Sequence, residues 1–145
     1  MADETPIVHE VEAAKNRVKS LVYHWMSIWD ANTGNAAPLI DALSPEGFQI
    51  NLVEEKETLE TIAEVKSWFA KFPTLVKQDN HIVESIEITA LDRDRWRAVT
   101  KIRGPGIAVN GQPFLVHSFH DWEVVDYGGA MPRISKMSIR LIQQA

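Results

Sequence analysis

Apolar residues recur every three or four positions in the first half of the chain and every second position in the later half. That change of period predicts helices followed by strands. Val11, Val18, Leu21, Val22, Trp25, Ile28 and Trp29 fall on one stripe of a first helix. Thr5-Pro6 opens it, with a hydroxyl cap and then proline at the first helical position. Asn32-Thr33-Gly34 closes it, with Gly34 suited to a left-handed cap. A short second helix, capped by Asn35, buries Leu39, Ile40 and Leu43, and Ser44-Pro45-Glu46-Gly47 turns. Phe48, Ile50 and Leu52 alternate with Gln49 and Asn51 as a short half-buried strand. The polar run 54–57 leads into a third helix. Its capping box is Thr61 with Glu64, its apolar face is Ile62, Val65, Trp68, Phe69 and Phe72, and its stop is Pro73.

Strands are expected from His81 onward: residues 81–91, 95–109, 112–127 and 131–143, with turns at 92–94 and 127–130. Asn110-Gly111 between apolar runs is a strong hairpin signal. A two-residue turn there, with regular pairing, sets Trp96 beside Val125 and Thr100 beside Asp121, which mixes the apolar face with the acidic one. A one-residue slip repairs both faces, because side chains alternate with period two. Gly104-Pro105-Gly106 suits a bulge that supplies the slip. Thr100 and Ile102 then neighbour His120 and Ser118 inside, and Arg97 and Lys101 face Asp121 and Glu123 outside. The expected architecture is α+β, with three N-terminal helices packed on a strongly bent sheet that forms a cone.

At 145 residues the chain suits a single domain spanning 1–145. A formal net charge of -5 argues against a nucleic-acid partner. The absence of cysteine excludes disulfides and thiolate chemistry, and fits a reducing compartment. No apolar run approaches the roughly 20 residues of a membrane span. The acidic residues 1–4 lack the basic start of a signal peptide. The expectation is a cytoplasmic protein. Five tryptophans are many for this length and suit a pocket wall or a core equally.

Three stretches carry a family likeness: IWDANTGNAAPLIDALSPEGFQI, VKSWFAKFPTLVKQDNHIVESIEITALDRDRWRAVTKIRG and FHDWEVVDYGGAMPRISKMSIRLI. Together with the order of elements they resemble the nuclear-transport-factor-two-like superfamily, SnoaL-like branch, over essentially the whole chain. The resemblance implies a cystatin-like α+β barrel and a cone pocket. It does not choose among the isomerases, dehydratases, cyclases, hydrolases and binding modules that share the fold. Against ketosteroid isomerases, the position of the carboxylate base matches Leu52, and the oxyanion donors match Trp25 and His120, so that chemistry does not carry over. Against scytalone dehydratase-like members, the inward histidines match His81 and His120, and Asp30 is placed to supply the carboxylate.

His120 lies in the inward row between Ser118 and Trp122. It is either a pocket histidine that moves a proton or a buried one satisfied by Thr100 or Ser118. His81 shares parity with Val83 and Ser85 and not with Ile86 and Ile88, so only a bulge near Ser85 turns it inward. Otherwise it is a surface residue at a strand start. Asp30 sits off the centre of the first helix's stripe, where simple solvation is the competing reading. Trp25, Trp29, Trp68, Trp96 and Trp122 are the expected pocket walls, with Leu52, Thr100 and Ser118 as further lining. The histidines show no metal-ligand spacing, so no metal and no cofactor is expected. The functional expectation is a small apolar or aromatic ligand, handled by cofactor-free dehydration, isomerisation or cyclisation. The alternative is a non-catalytic dimeric binding or assembly module. A homodimer is expected through the outer sheet face, where Val99, Phe119 and Val125 lie among charges.

Overall fold

The structure, a computed structural model, describes residues 5–129 and 131–142, with side chains from residue 10 onward. Residues 1–4 and the side chains of Thr5, Pro6 and His9 therefore lie outside the described residues. So do Ala130 of the last turn and the final residue of the expected last strand. Among the described residues three helices, α1 (Thr5–Ala31), α2 (Ala37–Asp41) and α3 (Ile62–Leu75), accompany seven strands. These are β1 (Gln49–Leu52), β2 (Glu57–Leu59), β3 (Val76–Asp79), β4 (Ile82–Ala90), β5 (Arg95–Ala108), β6 (Pro113–Val125) and β7 (Arg133–Leu141). The sheet runs β2-β1-β7-β6-β5-β3, and β4 also pairs with β5. It is mixed because β1 lies parallel to β7. The predicted α+β class and curled sheet are what the chain adopts.

Core formation follows the stripes. Val18, Leu21, Val22, Trp25, Met26, Ile28 and Trp29 of α1 are buried against Ile50, Leu52, Trp96, Ala98, Ile102, Trp122, Val124, Ile134 and Met137 of the sheet. Trp25 and Trp122 meet edge to face with centroids 5.9 Å apart. Val65 and Phe69 anchor α3, while Ile62, expected on its apolar face, is half exposed at 50 %. The Thr61–Glu64 capping box forms as read. Pro73 does not stop α3: it lies within the last turn, and the helix runs on to Leu75. Proline removes its own N–H donor and crowds the carbonyl four residues back, but the Val76 N–H still reaches the Phe72 carbonyl. The left-handed turn after α1 begins on Asn32 (φ 52°) before Gly34 (φ 73°).

The β5–β6 register is the inferred one, but its origin differs. Thr100 pairs with His120, Ile102 with Ser118 and Arg97 with Glu123, and pairing is unbroken from Ile107–Pro113 to Arg95–Val125. No bulge occurs at Gly104-Pro105-Gly106. The one-residue offset lies in the turn, which uses three residues, 109–111. Its closing bonds are Ala108 N–H to Gln112 O and Gly111 N–H to Ala108 O, and Gly111 sits at φ 88°. A two-residue type I′ turn needs positive φ at both central positions, and Asn110 does not take it. Lys101 consequently lies across from Phe119, while Arg97 forms two hydrogen bonds to Asp121, at 3.0 and 2.6 Å.

The Gly-Pro-Gly segment instead serves a joint on the edge of β5. β3 pairs with Gly106–Ala108 and β4 with Trp96–Arg103, and the Asn80 N–H reaches the Pro105 carbonyl between them. A Cβ on Gly106 would stand 2.3 Å from Phe114 Cζ and 2.6 Å from the Gln78 carbonyl oxygen. The ring end can yield, but the backbone oxygen cannot. Gly106→Ala is therefore expected to cost about 1–3 kcal/mol in denaturant unfolding. Adding Phe114→Leu should recover only part of the loss, and full recovery would show that the backbone contact does not matter.

Candidate functional site

The second irregularity lies in β4. Val83 pairs with Ile102 and Ser85 with Lys101, so Glu84 is an extra, unpaired residue. Beyond it Ile86 and Ile88 face the core; before it Val83 and His81 take the inner side instead. This is the bulge on which an inward His81 depended. The imidazole meets the last turn of α1, where Asp30 waits. The Asp30 Oδ2 accepts the His81 backbone N–H at 3.0 Å, and Oδ1 accepts Nδ1–H at 2.6 Å. The off-stripe position of Asp30 on α1 thus aims it at the β3–β4 joint.

A third group joins them. Asp79, the last residue of β3, has a side chain only 4 % exposed, and its Oδ2 lies 2.8 Å from His81 Nδ1. A single N–H cannot bond two carboxylates well. The shorter bond goes to Asp30, and Asp79 Oδ2 has no hydrogen-bond partner. The Asp79 contact is therefore one of charge. Burial opposes a charge on His81, but the hydrogen bond to Asp30, the close approach of Asp79 and the negative charges of both outweigh it, raising the imidazole to about 9. Burial pushes the Asp30 carboxyl up, yet the bonds from the His81 ring and backbone hold it below its ordinary value. At neutral pH His81 is therefore an imidazolium beside the Asp30 carboxylate.

Donor atoms of Asp30, Asp79 and His81 lie within 4.8 Å of one another. Ligands of a tetrahedral ion stand about 3.3 Å apart. The separations of 2.6 and 2.8 Å are shorter than that and match hydrogen-bonded groups.

His120 takes the interior position expected of it, 6 % exposed. Its Nε2 lies 3.1 Å from Ser118 Oγ, and its ring stacks near Trp122 at 6.2 Å and 26°. Thr100 Oγ1 donates to the His120 carbonyl, not to its ring, and accepts Trp122 Nε1–H at 3.2 Å. Nδ1 is buried with no partner. Burial first, and the charge on His81 second, depress His120 to about 3, so the ring is neutral. Such an orphaned polar atom costs about 1–3 kcal/mol.

The remaining candidates separate into two groups. Trp25, Leu52, Trp96, Thr100, Ser118 and Trp122 are buried in the interior. Trp29 and Trp68 border a groove of about 850 Å3 between α3 and β2, together with Leu59, Phe72 and the acidic Glu57 and Glu64. There Trp29 packs edgewise on Trp68, Phe69 and Phe72 at 4.6–5.0 Å. His120 lines neither this groove nor the two smaller ones described. Asp79 gave no signal in the sequence, because Asp79-Asn80 reads as turn chemistry.

No protein-family model and no curated protein matches the chain. Solved structures do. A scytalone dehydratase-like protein from Novosphingobium aromaticivorans superposes with a TM-score of 0.80 at 11% identity, covering 93% of this chain and 87% of that one. Hexachlorocyclohexane dehydrochlorinase LinA-type3 from Novosphingobium barchaimii gives 0.76 at 13% identity, covering 90% and 88%. A protein of the calcium/calmodulin-dependent protein kinase II association-domain type from Xanthomonas campestris gives 0.74 at 15%, covering 88% and 87%. The architecture is accordingly the nuclear-transport-factor-two-like, SnoaL-like cone fold. The neighbours comprise a dehydratase-like protein, a dehydrochlorinase and an association domain, so the fold they share does not by itself decide function. No described helix is long and apolar enough to cross a membrane.

Proposed function

We propose that the chain binds a small apolar or aromatic molecule in the cone and moves a proton on it, in a dehydration, isomerisation or cyclisation without a cofactor. The observation that carries this reading is the inward His81 held at 2.6 Å by Asp30. A carboxylate that fixes one imidazole nitrogen leaves the other, Nε2, free for a substrate. The orphaned Nδ1 of His120 supports the same reading, since a ligand's polar group would satisfy it.

A thermal-shift screen of small cyclic ketones and alcohols tests this on the wild type, His81→Gln and His120→Phe. A compound that raises the wild-type melting temperature should lose most of that effect in both variants. A hit that shifts all three equally removes the two histidines from the site. One observation favours a second reading, a non-catalytic assembly module: the interior around Trp25 and Trp122 is filled, both being at most 1 % exposed. No hits at all would select it.

The protein is further proposed to act in the cytoplasm as a homodimer through the outer face of β5 and β6. Val99, Phe119 and Val125 are partly exposed there among Arg97, Asp121 and Glu123. Sedimentation should give a dimer at micromolar concentration; a monomer alone would refute it.

A further inference from the structure

We propose that the groove between α3 and β2 is a binding site in its own right, separate from the histidines, for a small organic cation of the arylalkylammonium kind. α3 carries more apolar side chains than its contact with the core uses. Val65 and Phe69 are buried, whereas Trp68 and Phe72 stay partly exposed and Leu75 is 56 % exposed. Positions 64, 68, 71, 72 and 75 recur at helical spacing and so share one face, and all five line the groove. Leu59 of β2 and Trp29 of α1 complete the apolar lining. Trp29 meets Trp68 at 66° and Phe72 at 88°, so the aromatic walls stand at steep angles to one another. Walls so arranged can meet a ligand from more than one side. The volume, about 850 Å3, is that of a small-molecule site.

Charge selects the occupant. Glu55, Glu57 and Glu64 line the groove against a single cation, Lys71. Lys56 stands between Glu55 and Glu57 in the sequence but is not among the lining residues. Among the described residues the ion pairs use Arg17, His81, Arg95 and Arg97, so none of the three glutamates is neutralised by one. The two smaller grooves have balanced rims, Asp41 against Arg133 in one and Asp41 against Lys66 in the other, and neither is lined by a tryptophan.

A hydrated inorganic cation would gain nothing from the indoles. An aromatic anion would meet three carboxylates, and a neutral ring would leave their charge unused. An ammonium on an apolar body gains from both sets of groups. Its charge is attracted by the glutamates and by the negative faces of the rings, and its carbon body covers Leu59, Phe72 and Leu75.

Benzyltrimethylammonium, benzyl alcohol and phenylacetate share a phenyl ring and differ in charge, so together they test the assignment without any turnover. In an NMR titration the cation should move the indole signals of Trp29 and Trp68 and leave that of the enclosed Trp122 in place. It should bind at least about tenfold more tightly than the alcohol, and phenylacetate should bind most weakly. Raising the ionic strength to about 0.5 M should narrow the gap between cation and alcohol. Glu55→Gln combined with Glu57→Gln should remove most of the cation's advantage while leaving the alcohol unchanged. Both side chains are exposed, so this variant keeps the fold, and Glu64 is left in place because it caps α3. Equal affinity of the wild type for cation and alcohol overturns the cationic assignment, as does a preference that survives the double substitution. No movement of the Trp68 indole at about millimolar cation, or movement of Trp122 in its stead, overturns the site itself.

Discussion

Stability is expected to peak near pH 6.5 and to fall on both sides. The folded-state value of His81 is raised from 6.5 to about 9. Its stabilising contribution is complete below the unfolded value and is lost as pH climbs through the folded one, about 3 kcal/mol in all. His120 acts in the opposite direction. It is held at about 3 in the folded state, whereas the unfolded chain takes up that proton from about pH 6.5 downward. Stability present above pH 6.5 is therefore lost as pH falls toward 3. Asp30, whose carboxyl is lowered by His81, loses its contribution only at the acid end, and it shares one ion pair with His81, so the two count once. Denaturant unfolding at about pH 4.5, 6.5 and 9 checks the profile. His81→Gln should flatten the alkaline limb and His120→Phe the acid limb. A profile indifferent to both substitutions would mean that neither ring titrates as its surroundings dictate.

Replacing Trp122 by alanine is expected to cost about 3–5 kcal/mol, the largest effect of any single side chain discussed. The indole has no exposed surface. It fills the centre of the cone, with its edge or face toward Trp25 at 5.9 Å and its N–H on Thr100 Oγ1 at 3.2 Å. Alanine opens a cavity that the flanking strands cannot close, since β6 is paired on both sides, to β5 and β7. It also removes the donor to a hydroxyl that is fully buried. Trp122→Phe should cost less, keeping most of the apolar volume while giving up the hydrogen bond. A loss below about 1 kcal/mol for the alanine variant would indicate that the strands collapse onto the vacancy.

Elements with strong periodicity were legible in the chain. The stripe of α1 and the alternation in β5 and β6 dictate what is buried, and face consistency alone placed Thr100 across from His120. The location of the offset was not legible. Asn110-Gly111 supports either a two-residue turn or the tip of a three-residue one, and only the φ of Asn110 separates them. β2 and β3 escaped because they are short and largely exposed, so their residues need not alternate. The site was half legible. His81 depended on a bulge that the parity of its neighbours could require but not prove. Asp30 could not be assigned from α1 alone, because its partner is 51 residues away. Asp79 becomes meaningful only once β3 and β4 meet end to end along β5, which no local pattern encodes.

The unpaired Glu84 has a consequence for how such a site is gained and lost. β4 carries two reading frames, joined at one exposed residue. Ile86 and Ile88 lie in the frame that builds the core, and His81 lies in the frame that builds the site. An indel of one residue at the junction would turn His81 outward without moving Ile86, Ile88 or anything they touch. A chain of this design can therefore lose its chemistry while keeping its fold, or acquire it on an already stable scaffold, in one step that disturbs only the partly buried Val83 among the core residues of β4.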